Sequence, residues 1–347
     1  MLRDRPRLTA FGVLAFLSAS AACGKPDVRP ADAGGDAASS VDSAIPAPMV
    51  DSSEAEAEPT ASASATGRGA LDLDAYASAG PVWGKSIGHT SVVFKLKLEG
   101  GIEAAYKPRS RRGKARYRGE IAAYRLGRAL GISNVPPAIP RSFPAAALRA
   151  VLGDKDSPAS KLYDAEVVPS DHGEVRGALI PWIVGLKFLA LESEPKRSEW
   201  RGWLSGSASI PPDKLSFAAQ ISTMVVFDYL TGNWDRWSGG NVGADETGQK
   251  VLFIDNDGAF FDPPPPEPLA KQRALVRDDH RFSKSFIGAL RTLEPSVAKT
   301  AMGDDEPGEP LLSTKMLSGL EERRKDVLTM VDAKIAKEGE SAVLPFD

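Results

Sequence analysis

Residues 214–230, KLSFAAQISTMVVFDYL, form the most constraining stretch of this chain, because they read as a helix that is apolar around most of its circumference. Such a helix is stable only when other structure surrounds it. It therefore requires a packed body about itself, and Gly232 supplies its stop. Beyond the helix the chain turns polar: GNWDRW at 232–237, then NVGA and KVLFID as a hairpin around the turn DETG, ending in FIDNDGAFF at 253–261. One acid, Asp235, thus comes just after the buried helix, and two more, Asp255 and Asp257, end the next hairpin.

The chain has length enough for that body. Its 347 residues, 42% hydrophobic and 26% charged, allow one large domain or two small ones. A net charge of −3 argues against a nucleic-acid partner, since neutralising phosphates needs a dense basic surface. The local exception is Lys107, Arg109, Arg111, Arg112, Lys114, Arg116 and Arg118, readable as a solvated loop or as a positive rim for a phosphorylated ligand or acidic substrate.

The N-terminus reads as an export signal: Arg3, Arg5 and Arg7 precede an apolar run over 8–22 that is short for a bilayer span, and Cys23 comes next. Cys23 is the only cysteine, which excludes disulfides and cysteine zinc sites from the folded part. Its position suggests a lipid-modified bacterial lipoprotein terminus, with cleavage after Ala19-Ser20-Ala21 as the alternative. Residues 23–70, rich in Ala, Asp, Ser, Pro and Glu, cannot offset their ordering entropy by burial and read as an acidic disordered tether. A folded domain is expected over 71–347.

Within it, SVVFKLKLEGGIEAAYKP reads as a hairpin about Gly100-Gly101, preceded by a turn holding Gly84 and Gly88. GEIAAYRLGRALG reads as an amphipathic helix closed by Gly131. AEVV and VRGALIPWIV suggest a second strand pair, and helices are expected near 282–293 and 313–337. Strands first and helices after indicate an α+β architecture of two lobes with a crevice between them, divided near residue 185.

AGPVWGKS at 79–86 fits a loose phosphate-loop pattern, but that mechanism needs a strand before and a helix after; here a β-branched strand comes after it. A glycine-containing turn lying over phosphates survives from the idea. His89, His172 and His280 have no metal-ligand spacing, and there is no Gly-x-Ser-x-Gly elbow. Phosphoryl transfer, by contrast, needs a lysine on the phosphates, an acid orienting it, an acid near the incoming hydroxyl and oxygen ligands for Mg²⁺. Lys107, Glu120, Asp235, Asn241 and Asp255 offer these in a kinase's chain order. Each alone has a structural reading, such as a strand-edge charge, a first-turn helix acid or an Asx turn. It is their joint order that points to chemistry.

DYLTGNWDRW with the later LFIDNDGAFF resembles the signature of the secreted, Golgi-type kinases, and AAYKP with GEIAAYRLGRALGISNVPPAIPR is similar to that family's N-terminal half. More distantly the plan is similar to HipA-type and phosphatidylinositol kinases. The resemblance implies a two-lobed protein-kinase-like fold with ATP or another nucleoside triphosphate and Mg²⁺ or Mn²⁺ as cofactors. It implies Asp235 as the catalytic acid or base and Asp255 as principal metal ligand, with Lys107 and Glu120 on the nucleotide side. The family's Asp-Asn-Gly is here Asp255-Asn256-Asp257-Gly258, so Asp257 is a second metal candidate. Asn241 stands six residues after Asp235 rather than five, leaving the metal-side amide open between readings.

The expected function is transfer of a nucleotide's terminal phosphoryl group to a protein or glycan hydroxyl in the cell envelope, with membrane attachment through Cys23 only. A nucleotide-binding pseudokinase and a non-catalytic envelope lipoprotein are the alternatives.

Overall fold

The computed structural model describes residues 71–88 and 91–347; the expected signal peptide at 1–22, the tether at 23–70 with Cys23, and His89 lie outside them. A short helix α1 (Leu73–Ser78), capped by the Asp72 carboxylate, leads into β1 (Pro81–Ile87). β2 (Val93–Leu98) and β3 (Glu103–Pro108) form the expected hairpin, Phe94 opposite Tyr106 and Leu96 opposite Ala104. Gly100 and Gly101 turn between them at φ 79° and 78°, a left-handed conformation that a Cβ disfavours. The expected helix is α2 (Tyr117–Ala129). Next come β4 (Ile139–Pro144), α3 (Ala145–Ala150), α4 (Pro158–Glu166) and β5 (Glu174–Pro181). The sheet order is β1-β2-β3-β5-β4, antiparallel throughout.

The observed strands correct three expectations. Gly84 is not in a turn: it lies inside β1 opposite Leu96, and only Gly88, at φ 90°, belongs to the β1–β2 connection. AEVV is not a strand, because its first residues end α4 and only Val167 makes an isolated bridge, to Ser110. The partner of β5 is instead β4, whose Pro140 and Pro144 read as breakers in sequence; prolines are tolerated at the edge of a sheet, where an N–H can go unpaired.

The second half is mainly helical. β6 (Lys187–Phe188) precedes α5 (Lys196–Ser205) and α6 (Leu215–Thr231), the expected buried helix. β7 (Val242–Ala244) and β8 (Val251–Phe253) form the expected hairpin and, with β6, a three-stranded sheet in the order β6-β7-β8. α7 (Pro266–Asp278), α8 (Lys284–Thr292) and α9 (Pro295–Met302) lead to the small hairpin β9 (Asp304–Glu306) and β10 (Glu309–Pro310). α10 (Thr314–Glu338) and α11 (Glu340–Val343) close the chain.

The hydrophobic residues form two cores. One lies on one face of the five-stranded sheet, where Phe94, Leu96, Tyr106, Phe143 and Leu179 pack under Leu148 and Tyr163. The other surrounds α6, buried almost without interruption from Ile221 to Thr231. Burying each such large aliphatic side chain contributes roughly 1.5–3 kcal/mol. α2 belongs to this second core through Ile121, Ala122 and Leu126, although it lies in the strand-rich half of the sequence. Because strand side chains alternate, Tyr106 points into the sheet's own core while Lys107 points to the opposite face, toward α2. That alternation delivers Lys107 to the crevice.

Candidate active site

α6 ends at Gly232, φ 65°, and the chain passes at once into Asn233, Trp234, Asp235 and Arg236. Asn233 is fully buried; its Oδ1 accepts from the Asp235 N–H at 3.3 Å and its Nδ2 donates to the Asp255 carbonyl at 3.4 Å. Arg236 is also fully buried. Its Nε donates to both oxygens of Asp228 at 3.0 Å, its Nη1 to the Asn241 and Ile254 carbonyls, and its Nη2 to Asn256 Oδ1 at 2.7 Å. One guanidinium thus ties α6, the loop of Asp235 and the loop of Asp255 together. The flanking indoles anchor the same loop: Trp237 stacks on Trp200 with centroids 5.2 Å apart, and Trp234 meets Phe261 edge-on at 6.3 Å. Asp235 itself is half-buried, and its carboxylate has no hydrogen-bond partner among the described residues.

The β7–β8 hairpin returns the chain to Asp255, which adopts φ 57°. Lys107 Nζ lies 2.5 Å from Glu120 Oε1, 2.6 Å from Asp255 Oδ1 and 3.6 Å from Asp257 Oδ2. Glu120 is buried at the first turn of α2, and its Oε1 also accepts from the Asn256 N–H at 3.0 Å. Asp257 is held from the other side by Arg116, whose Nη2 lies 2.5 Å from Oδ1, and receives a hydrogen bond from Ser91 Oγ at 3.3 Å. Two glycines permit these approaches. A Cβ on Gly119 would stand 2.5 Å from the Asn256 carbonyl, and one on Gly258 would stand 2.9 Å from Asp235 Cβ.

Burial and pairing set the electrostatics. Burial acts to lower the Lys107 pKa, but the carboxylates of Asp255, Glu120 and Asp257 outweigh it and hold the ammonium well above the usual lysine range. Burial acts to raise Asp255, yet Lys107 outweighs it and keeps that carboxyl below its ordinary value. Asp257 is pushed up by burial; Lys107 opposes this, while Asp255 and Glu120 reinforce it. The cluster therefore carries a permanent cation between acids of different proton affinity.

Of the residues singled out in the sequence, Lys107, Glu120, Asp255 and Asp257 are brought into direct contact. Asp235 is placed beside them across Gly258, and Asn241 lies at Asp235, donating from Nδ2 to its carbonyl at 2.7 Å and to Ser238 Oγ at 3.1 Å. Gly88 belongs to the connection that carries Ser91 onto Asp257. Gly84 is apart from the cluster: a Cβ there would meet Leu96 at 2.7 Å and Leu152 at 2.8 Å, so its small size serves packing. The surface pair His280–Glu338, at 2.9 Å, takes no part. Sequence reading missed Arg236, Asn256, Asp228 and the role of Arg116. An aspartate inside the apolar run, eight residues before an arginine, was the available sign of the first pair.

No protein-family model matches the chain. It is 26% identical over 308 residues to human glycosaminoglycan xylosylkinase, covering 75% of this chain and 74% of that protein. The crystal structure of the Golgi casein kinase with Mn/ADP bound superposes at a TM-score of 0.58 and 15% identity, covering 78% of this chain and 77% of that one. The structure of hydra Fam20 with sugar gives a TM-score of 0.61 and 20% identity, covering 79% and 91%. The chain has the fold of the Golgi-type atypical kinases. Its resemblance in fold therefore extends beyond the two acid motifs, over 78% and 79% of the chain in the two solved structures.

In this kinase-like fold the donor set suits a hard divalent cation. Among the described residues no three His, Cys, Asp or Glu side chains form a cage by themselves. Mg²⁺ and Mn²⁺ sites in nucleotide enzymes do not require one, because one or two carboxylates are completed by phosphate oxygens and water. Among the described residues Asp255 Oδ2 has no hydrogen-bond partner, and Asp257 stands next to it with both oxygens directed to cations or a hydroxyl. The residues present fit such a metal–nucleotide pair.

Proposed function

We propose that this chain is a metal-dependent phosphotransferase that moves the terminal phosphoryl group of ATP, or a related nucleoside triphosphate, to a hydroxyl of a protein or glycan. The observation that carries the reading is the convergence of Lys107, Glu120, Asp255 and Asp257 beside an unpartnered Asp235.

Each group has a role that its surroundings allow. Glu120 orients Lys107, whose ammonium stays charged at all physiological pH and binds phosphate oxygens. Asp255 holds Mg²⁺ or Mn²⁺ together with Asp257, and Asn241 offers its amide oxygen from the Asp235 side. The cation, when bound, neutralises charge on the phosphates and orients them for in-line transfer. Asp235, free of competing hydrogen bonds, accepts the proton of the incoming hydroxyl. Gly88 lets the β1–β2 turn approach the phosphates, whereas Gly84 contributes by packing β1 beneath that turn.

The basic segment with Lys114 and Arg112 faces an acidic or phosphorylated acceptor. Export by residues 1–22 and attachment to a bacterial envelope membrane through lipidated Cys23 complete the proposal. Among the described residues no helix is long and apolar enough to cross a membrane.

Two measurements test it. ATP with Mn²⁺ at a hundred times the dissociation constant adds about 2.7 kcal/mol to stability, so the melting temperature of the purified protein must rise. No rise refutes the nucleotide reading. Labelled-phosphate transfer is then expected from wild type and lost in Asp235→Ala; equal transfer by both removes Asp235 from the mechanism, and transfer by neither leaves a nucleotide-binding pseudokinase.

A further inference from the structure

The segment just after Gly258 lines a cavity of about 610 Å³ through Phe260 and Phe261, and none of its lining residues belongs to the Lys107 cluster. Pro263, Pro264, Leu269, Met316 and Gly319 are among its lining residues. Arg323 of α10 also lines it and is only 9% exposed. The Arg323 Nε donates to the Leu230 carbonyl at 2.9 Å, capping the end of α6. Among the described residues its two Nη nitrogens have no hydrogen-bond partner, and no carboxylate lies in ion-pair range. Burial accordingly acts to lower its pKa.

A buried cation without a counter-ion is costly, and the negative end of a helix offsets only part of that cost. The other charges at this cavity do not supply the rest. Asp326 is already taken by Arg273, with contacts of 2.7 and 2.8 Å, and by Tyr229 at 2.6 Å. Asp262, Glu322 and Lys315, which also line it, are exposed, so water screens them. The backbone leaves space around the guanidinium: a Cβ on Gly319 would stand 3.0 Å from Nη1, and one on Gly232 would stand 3.8 Å from Cζ. A glycine within α10 is otherwise unfavourable, because it weakens a helix relative to alanine.

We propose that this cavity binds a small organic anion whose phosphate or carboxylate head pairs with the free Nη face of Arg323. The planar guanidinium matches either oxyanion through two parallel hydrogen bonds. The apolar walls and a volume well above that of a bare oxyanion fit a ligand with a carbon body. Arg323 also grips the last turn of α6, five residues before Asp235, so the occupant would be sensed at the loop of the proposed acid. The anion site does not depend on the phosphotransfer reading.

The test uses inorganic phosphate and phenyl phosphate as probes and reads modification of individual arginines by phenylglyoxal in the wild-type protein by peptide mass spectrometry. Arg323 is expected to react in the free protein and to be protected by phenyl phosphate, its rate falling about elevenfold at ten times the dissociation constant. Protection by inorganic phosphate to the same degree overturns the organic ligand and leaves an anion site that needs only the head group. Stronger protection by phenyl phosphate supports the organic ester. Gly319→Ala, which narrows the space at Nη1 without removing charge and favours the helix, is expected to weaken protection. No protection by either probe overturns the proposal and leaves Arg323 as the cap of α6 alone.

Discussion

Gly258→Ala isolates the position of Asp235 from its chemistry. Gly258 does not use a left-handed backbone, so alanine is tolerated by the main chain and the effect is purely steric. The new methyl would stand 2.7 Å from Asn233 Oδ1 and 2.9 Å from Asp235 Cβ, about 0.7 and 0.5 Å short of the 3.4 Å at which contact becomes ordinary. Neither neighbour yields freely, since Asn233 is bonded to the Asp235 N–H, the Asp255 carbonyl and, through its own carbonyl, Gln272. The cheapest adjustment moves the Asp235 loop outward by about half an ångström, at an overpacking cost of about 1–3 kcal/mol. Since a 1 Å misplacement of a reacting group costs about a hundredfold, a loss of roughly ten- to a hundredfold in turnover is expected. The assay is ADP release or labelled-phosphate transfer, with the ATP–Mn²⁺ melting shift as control. A folded Gly258→Ala protein with wild-type turnover would refute the placement of Asp235 at the reacting hydroxyl.

Three further outcomes are expected. Arg236→Met should destabilise by about 3–5 kcal/mol, because it leaves Asp228 buried without its partner, whereas Arg236→Met with Asp228→Leu should recover much of that loss; a double-variant loss equal to the sum of the two single-variant losses in a denaturant series would show that the pair is not coupled. Asp279 is pushed up to about 8 by burial, against Arg201 and Lys334, and its Oδ2 is unpartnered. An acid raised in the folded state makes stability fall as pH rises from about 4 to about 8. The advantage of Asp279→Asn should therefore grow by up to about 1.4 kcal/mol per pH unit across that window and level off above it, and a pH-independent difference in melting would contradict this. Gly84→Ala should cost about 1–3 kcal/mol by crowding Leu96 and Leu152, with the nucleotide-induced melting shift intact. A lost shift at unchanged stability would return Gly84 to the phosphates.

The sequence by itself determined the elements whose signals are local. The buried helix, the β2–β3 and β7–β8 hairpins and α2 arise from apolar periodicity and glycine stops, and the chemistry-bearing types at Lys107, Glu120, Asp235, Asp255 and Asp257 stand at the ends of those elements. β4 was hidden because its prolines carry a breaker's signal, and only a position at the sheet's edge makes them harmless. Tertiary structure alone decided that α2 packs with the helical core, that Gly84 faces two leucines, and that Arg236 and Asn256 tie together the loops bearing Asp235 and Asp255. It also decided that Arg323 would be a buried cation beside a cavity. The physical reason is range: propensity and periodicity act within a few residues, whereas a buried polar group is defined by the partner that satisfies it, and here Lys107 finds Asp255 across 148 positions of chain.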